Sequence, residues 1–111
     1  KTILIIENDE STFVLLNVVL NSKYKVIRAI DPKDSMNHIE RYEPDLVISN
    51  MTINEPYIKN IKEKHKDLAI IGVYESKDMN SKESDAKGLL FDFISKPINV
   101  KNLMDILEKL D

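Results

Sequence analysis

The stretch Asp45-Leu46-Val47-Ile48-Ser49-Asn50 limits what this chain can fold into more than any other. Four apolar or small residues follow one another with no alternation, the pattern of a strand buried on both faces. Glu43-Pro44 stands in front of it, and proline disfavours helix in the residue that precedes it. A strand buried on both faces belongs at the centre of a parallel sheet covered by helices. Such sheets hold ligands beyond the carboxyl ends of their strands. Asn50 therefore falls at the mouth of any site the fold would carry, and it is an amide where a carboxylate would do chemistry.

The rest of the chain alternates two periodicities around this strand. Residues 2–6 form an apolar run that ends in the cluster Glu7-Asn8-Asp9-Glu10. Ser11 or Asp9 can cap a helix to Leu20, with Phe13, Leu16 and Leu20 as its main stripe and Val14, Leu15, Val18 and Val19 widening it. A short strand over 25–29 follows. Asp31-Pro32 opens a second helix, with Asp as N-cap and Pro in the first turn. Met36, Ile39 and Tyr42 form its stripe, and Pro44 stops it. After the central strand, 46–49, the spacing predicts a helix over 56–64 with Tyr57, Ile58 and Ile61 inward, then an apolar strand over 68–74. A polar helix over 77–87 has only Met79 and Ala86 on one face and ends at Gly88, a place for a left-handed cap. Residues 90–95 read as the fifth strand. Asn99 caps a last helix carrying Val100, Leu103, Met104, Leu107 and Leu110. Five strands alternating with five helices predict an α/β fold: a five-stranded parallel sheet with helices on both faces.

Composition narrows the function classes. With 111 residues, one domain is expected, large enough to bury roughly 65% of its unfolded surface. Apolar content of 42% and charged content of 32% are those of a globular protein. A net charge of −3 with interspersed Lys and Glu argues against direct nucleic-acid binding. The chain has no cysteine, which excludes disulfides and thiolate metal sites. No apolar run reaches the roughly 18 residues of a membrane span, and residues 1–6 read as a strand and not a signal peptide. Lys1 at the start suits a piece cut from a longer protein. Two glycines leave no Gly-rich phosphate loop, and a flavin-binding reading is disfavoured with it. His38 and His65 lie on predicted helices without a second ligand at metal spacing. No cofactor and no metal site are expected.

Three places resemble the receiver domain of bacterial two-component response regulators. Ile3-Leu4-Ile5-Ile6-Glu7-Asn8 looks like the first strand with its acidic pair. Pro44-Asp45-Leu46-Val47-Ile48-Ser49-Asn50 looks like the strand that ends in the phosphoacceptor aspartate. Phe93-Ile94-Ser95-Lys96-Pro97 looks like the aromatic, the lysine and the proline that close the fifth strand. Their order and separations extend the resemblance over the whole chain. It implies a flavodoxin-like sheet in the order 2-1-3-4-5, a bacterial cytoplasmic signalling role, and phosphorylation of an aspartate from a histidine kinase in a phosphorelay.

Carried over residue by residue, that chemistry loses its parts. The acceptor position holds Asn50, and a neutral amide cannot attack phosphorus to form an acyl phosphate. The acidic pair appears as Glu7 and Asn8, with Asp9 one position late, whereas Mg²⁺ wants hard carboxylate oxygens. The hydroxyl position falls at Tyr74, whose ring is large enough to fill the space. Lys96 alone stands as the family has it. The loop after Asn50 lacks the family's turn and is about three residues shorter. The resemblance thus implies a degenerate pseudo-receiver without enzymatic activity. A direct contact of Lys96 with Glu7 or Asn50 would then close the site. Such a domain works through a protein partner or fused output domain, a homodimer being one form, with no membrane insertion. The other reading is a working phosphoreceiver with an atypical acceptor, Asp9 or Ser49. For the interaction face the family's pattern points to the fourth helix, fifth strand and last helix. There Met79, Phe93 and Ile106 are expected as an exposed apolar anchor, flanked by Lys82, Lys87 and Lys101.

Overall fold

The computed structural model describes residues 1–78 and 85–110. In chain order they form β1 (Thr2–Ile6), α1 (Glu10–Leu20), β2 (Lys25–Ala29), α2 (Pro32–Tyr42), β3 (Leu46–Asn50), α3 (Met51–Lys64), β4 (Ala69–Tyr74), β5 (Asp92–Ser95) and α4 (Val100–Leu110). All neighbouring strands run parallel, in the order β2-β1-β3-β4-β5. This is the expected flavodoxin-like sheet, with β3 at its centre and every residue of β3 buried.

Period-two alternation divides the core between two layers. Ile3, Ile5, Ile48, Ile71, Val73 and Ile94 pack with Leu16 and Leu20 of α1 and Leu103, Ile106 and Leu107 of α4. Leu4, Ile6, Val47, Ile70 and Tyr74 pack with Ile39 of α2 and Met51, Ile58 and Ile61 of α3. Each face of the sheet carries two helices.

The described residues hold four α-helices and not the five expected. Of the helix expected over 77–87, the flanks are short 3-10 segments, Ser76–Asp78 and Asp85–Leu89; residues 79–84, Met79 and Lys82 among them, lie outside the described residues. Gly88 is not left-handed; the positive φ belongs to Glu43, at 46°, where α2 ends before Pro44. Helix α3 begins at Met51, five residues earlier than its apolar spacing suggests, so no loop separates it from β3. Pro56 therefore stands inside the helix.

Five side chains differ in layer or exposure from expectation. Ile106 is buried, because it extends the Leu103–Leu107 stripe of α4 into the core. Phe93 is half-buried against the opposite layer. The two residues pack in opposite layers, although both line one open groove beside β5. On α1, Leu16 and Leu20 are buried while Val14, Leu15 and Val18 are exposed, Val18 by 66%.

Candidate functional site at the carboxyl end of the sheet

Strand register gathers the site. Ile6 pairs with Ser49, Asn50 with Val73, and Tyr74 with Ser95. Glu7, Asn50, Glu75 and Lys96 consequently leave the sheet side by side, although as many as 89 positions separate Glu7 from Lys96 along the sequence.

Glu7 is the hub. Its carboxylate is 1% exposed. Asn50 Nδ2 donates to Glu7 Oε2 at 2.6 Å, and the Asp9 backbone N–H donates to the same oxygen at 3.1 Å. Lys96 Nζ stands 3.4 Å from Glu7 Oε1, an ion-pair distance without hydrogen-bond geometry. A carboxylate this deeply buried needs such partners, since an unpaired buried charge is costly. The lysine also lies 3.6 Å from Glu75 Oε1 and so bridges two carboxylates. Of the two contacts expected for Lys96, the one to Glu7 forms.

Asn50 has no end left over. While its Nδ2 serves Glu7, its Oδ1 accepts the Thr52 backbone N–H at 2.9 Å and so caps α3. Asparagine is a strong N-cap, because its short side chain satisfies a backbone donor that the helix itself cannot. One turn on, the buried Asn54 donates to Ser49 Oγ at 2.8 Å, which ties α3 to β3 a second time.

The side chains of Asp9 and Asn8 do not join this cluster. Both are exposed. Asp9 caps α1 by accepting from the Thr12 and Ser11 hydroxyls and the Thr12 backbone N–H. The Thr12 hydroxyl above all, then that of Ser11, holds the Asp9 carboxyl below its usual pKa, and the Lys96 charge adds a little.

Tyr74 is buried below the cluster and meets Phe93 edge to face, with centroids 5.9 Å apart and planes at 80°. Gly72 makes room for this packing. A Cβ there would stand 2.7 Å from Leu90 Cδ1, 2.9 Å from Met51 Cγ and 3.2 Å from Tyr74 Cε2.

Two participants escape sequence reasoning. Arg28 donates Nε–H to the Glu7 carbonyl at 3.1 Å, binds both oxygens of Glu10 and stacks on Phe13 at 4.2 Å. Its signal was a charge placed after the apolar Val26 and Ile27 of β2. Glu75 gives no signal, because any residue just past β4 would stand there. Among the described residues no three His, Asp or Glu side chains are grouped as a metal site, and no helix is long and apolar enough to cross a membrane.

No curated protein matches the chain in a sequence search. Among solved structures, NtrX from Brucella abortus superposes with a TM-score of 0.87 at 20% identity, over 98% of this chain and 25% of its own. The N-terminal signal receiver domain of a two-component response regulator from Bacteroides fragilis gives 0.86 at 20% identity, covering 98% of this chain and 94% of that one. A response regulator receiver modulated diguanylate cyclase from Pelobacter carbinolicus gives 0.83 at 28% identity, covering 99% and 91%. The family model of the response regulator receiver domain matches residues 3–108. With sheet order, strand-end cluster and family match in agreement, the chain belongs to the response regulator receiver domain family.

Proposed function

We propose that this receiver domain is a single regulatory module that signals by protein–protein contact without aspartate phosphorylation. The observation that carries the reading is Asn50. It stands where the family's resemblance puts the phosphoacceptor, it is no nucleophile, and both ends of its amide are spent on Glu7 and on the α3 cap. The residues do not fit a Mg²⁺ site either. Glu7 is bonded to Asn50 and paired with Lys96, which also holds Glu75, whereas magnesium needs carboxylate oxygens open to it. Neither atypical acceptor is favoured. Asp9 is committed to three hydrogen bonds at the start of α1, and Ser49 is fully buried and accepts from Asn54.

The domain then acts on an output domain or separate partner, as the Pelobacter protein's name joins a receiver to a diguanylate cyclase. It has no enzymatic activity of its own and works in the bacterial cytoplasm. Incubation with acetyl phosphate and Mg²⁺, followed by intact-mass measurement, tests the reading. An unchanged mass is expected. A stable phosphoryl adduct mapped to Asp9, Ser49 or another residue at the carboxyl end of the sheet would overturn it.

A further inference from the structure

Helix α1 turns an uncharged face to the outside. Residues 11–22 contain no Asp, Glu, Lys, Arg or His, where the 32% charged content of the chain would place about four such residues. Leu16 and Leu20 hold the helix to the sheet, and Phe13 and Val19 pack beside them. The outward stripe runs through Ser11, Val14, Leu15, Val18, Asn21 and Ser22, all exposed, with Val14 at 52% and Leu15 at 38%. Surface helices turn charged and polar side chains to water, whereas a helix that is apolar all round is normally buried. Charges stand at the two ends of the run, Glu10 in the first turn and the exposed Lys23 in the turn after the helix.

We propose that the outward face of α1 is a self-association surface, on which a second copy of this chain packs its own α1 antiparallel about a two-fold axis. Charge chooses that occupant. A two-fold contact sets one patch against itself, so a charge near the axis would meet its like. A neutral stripe satisfies this condition, whereas a partner recognised by charge would need charged residues on the stripe. In the antiparallel arrangement Val14 and Leu15 of one copy meet Val18 of the other. Glu10 then comes over Lys23 at both ends, so the flanking charges are complementary as well. As the contact through which the domain signals, this pairing rests on the protein–protein reading above; the association itself needs neither phosphate nor metal. A single helix face belongs to the small end of specific interfaces, so the dimer is weak and set by concentration.

Sedimentation equilibrium of the intact chain from about 1 μM to about 1 mM, without phosphodonor, tests the proposal. The parent should pass from monomer towards dimer across that range. Val18→Asp should weaken association at least about tenfold, because it sets like charges across the axis. Its circular dichroism should stay that of the parent, since Val18 is exposed. Phe91→Ser removes a 44% exposed aromatic just before β5 and should leave association within about twofold of the parent. An equimolar mixture of Val18→Asp and Val18→Lys should associate at least about tenfold more tightly than either variant alone, since the two side chains flank the axis. A parent that stays monomeric throughout leaves the face to a different protein and overturns the proposal. So would a dimer that Val18→Asp does not weaken, an equal loss with Phe91→Ser, or a mixture no tighter than its components. This reading and the phosphate-free one fail separately, since a phosphoryl adduct bears on the end of the sheet and not on α1.

Discussion

At the scale of single residues, the site is a set of commitments centred on Glu7 and Asn50. Asn50 donates to Glu7 Oε2 at 2.6 Å. Asn50→Asp would keep the helix cap but set two carboxylates against each other. A hydrogen bond to a charged group is worth about 1.5–3 kcal/mol, and a loss of that order is expected in urea unfolding at neutral pH. The deficit should shrink in acid, where one carboxylate of the pair takes a proton. The new carboxylate would still have the Tyr74 ring in place of a small hydroxyl and no acidic side chain at Asn8, so full phosphorylation-driven switching should not return. Asp9 makes a prediction of opposite origin. Its hydrogen bonds from Thr12 and Ser11 depress its pKa from the usual 3.8. The folded state then holds its proton less tightly than the unfolded chain. The cap's contribution is therefore present above about pH 4 and is lost as pH falls through the depressed folded value. Asp9→Ala should accordingly be less stable than the parent at neutral pH and should approach it in strong acid, as measured by thermal unfolding across a pH series.

At the scale of elements, α3 is where sequence and structure part most. Apolar spacing, with Tyr57, Ile58 and Ile61 inward, pointed to a start at Pro56. The true start, five residues earlier, is set by the Asn50 cap and by Met51, Asn54 and Ile58 on one face. Pro56 then removes a backbone hydrogen bond within the helix and crowds the carbonyl of Thr52. Pro56→Ala should stabilise the domain by roughly 1–3 kcal/mol, read as a raised denaturant midpoint with unchanged slope. Strand β4 carries the reverse case. A methyl group at Gly72 would meet Leu90 and Met51 at less than the distance real Cβ atoms tolerate. Gly72→Ala should cost about 1–3 kcal/mol by overpacking, despite alanine's better strand entropy.

At the scale of the whole molecule, two apolar layers share one sheet, and which layer a side chain joins decides what its loss costs. Ile106 belongs to the α1–α4 layer and is 6% exposed. Ile106→Ala should cost about 2–5 kcal/mol, measurable by chemical denaturation, where an exposed anchor would have cost little. The alternation of strands and helices, the caps Asp9, Asp31 and Asn99, and the strand ends at Glu7 and Asn50 were legible in the chain itself, while the sheet order and the place of Lys96 came from the family resemblance. Period-two and helical patterns are local, and short-range rules read them. Burial of the β3 run on both faces was legible for the same reason. Three-dimensional placement decided the rest. Only strand register could make Asn50 at once a partner of Glu7 and the cap of α3, or bring Arg28 onto the Glu7 carbonyl. Only packing against the sheet could take Ile106 inward and leave Val14 and Val18 outside. Side chains far apart in sequence meet through tertiary contacts that no local pattern encodes.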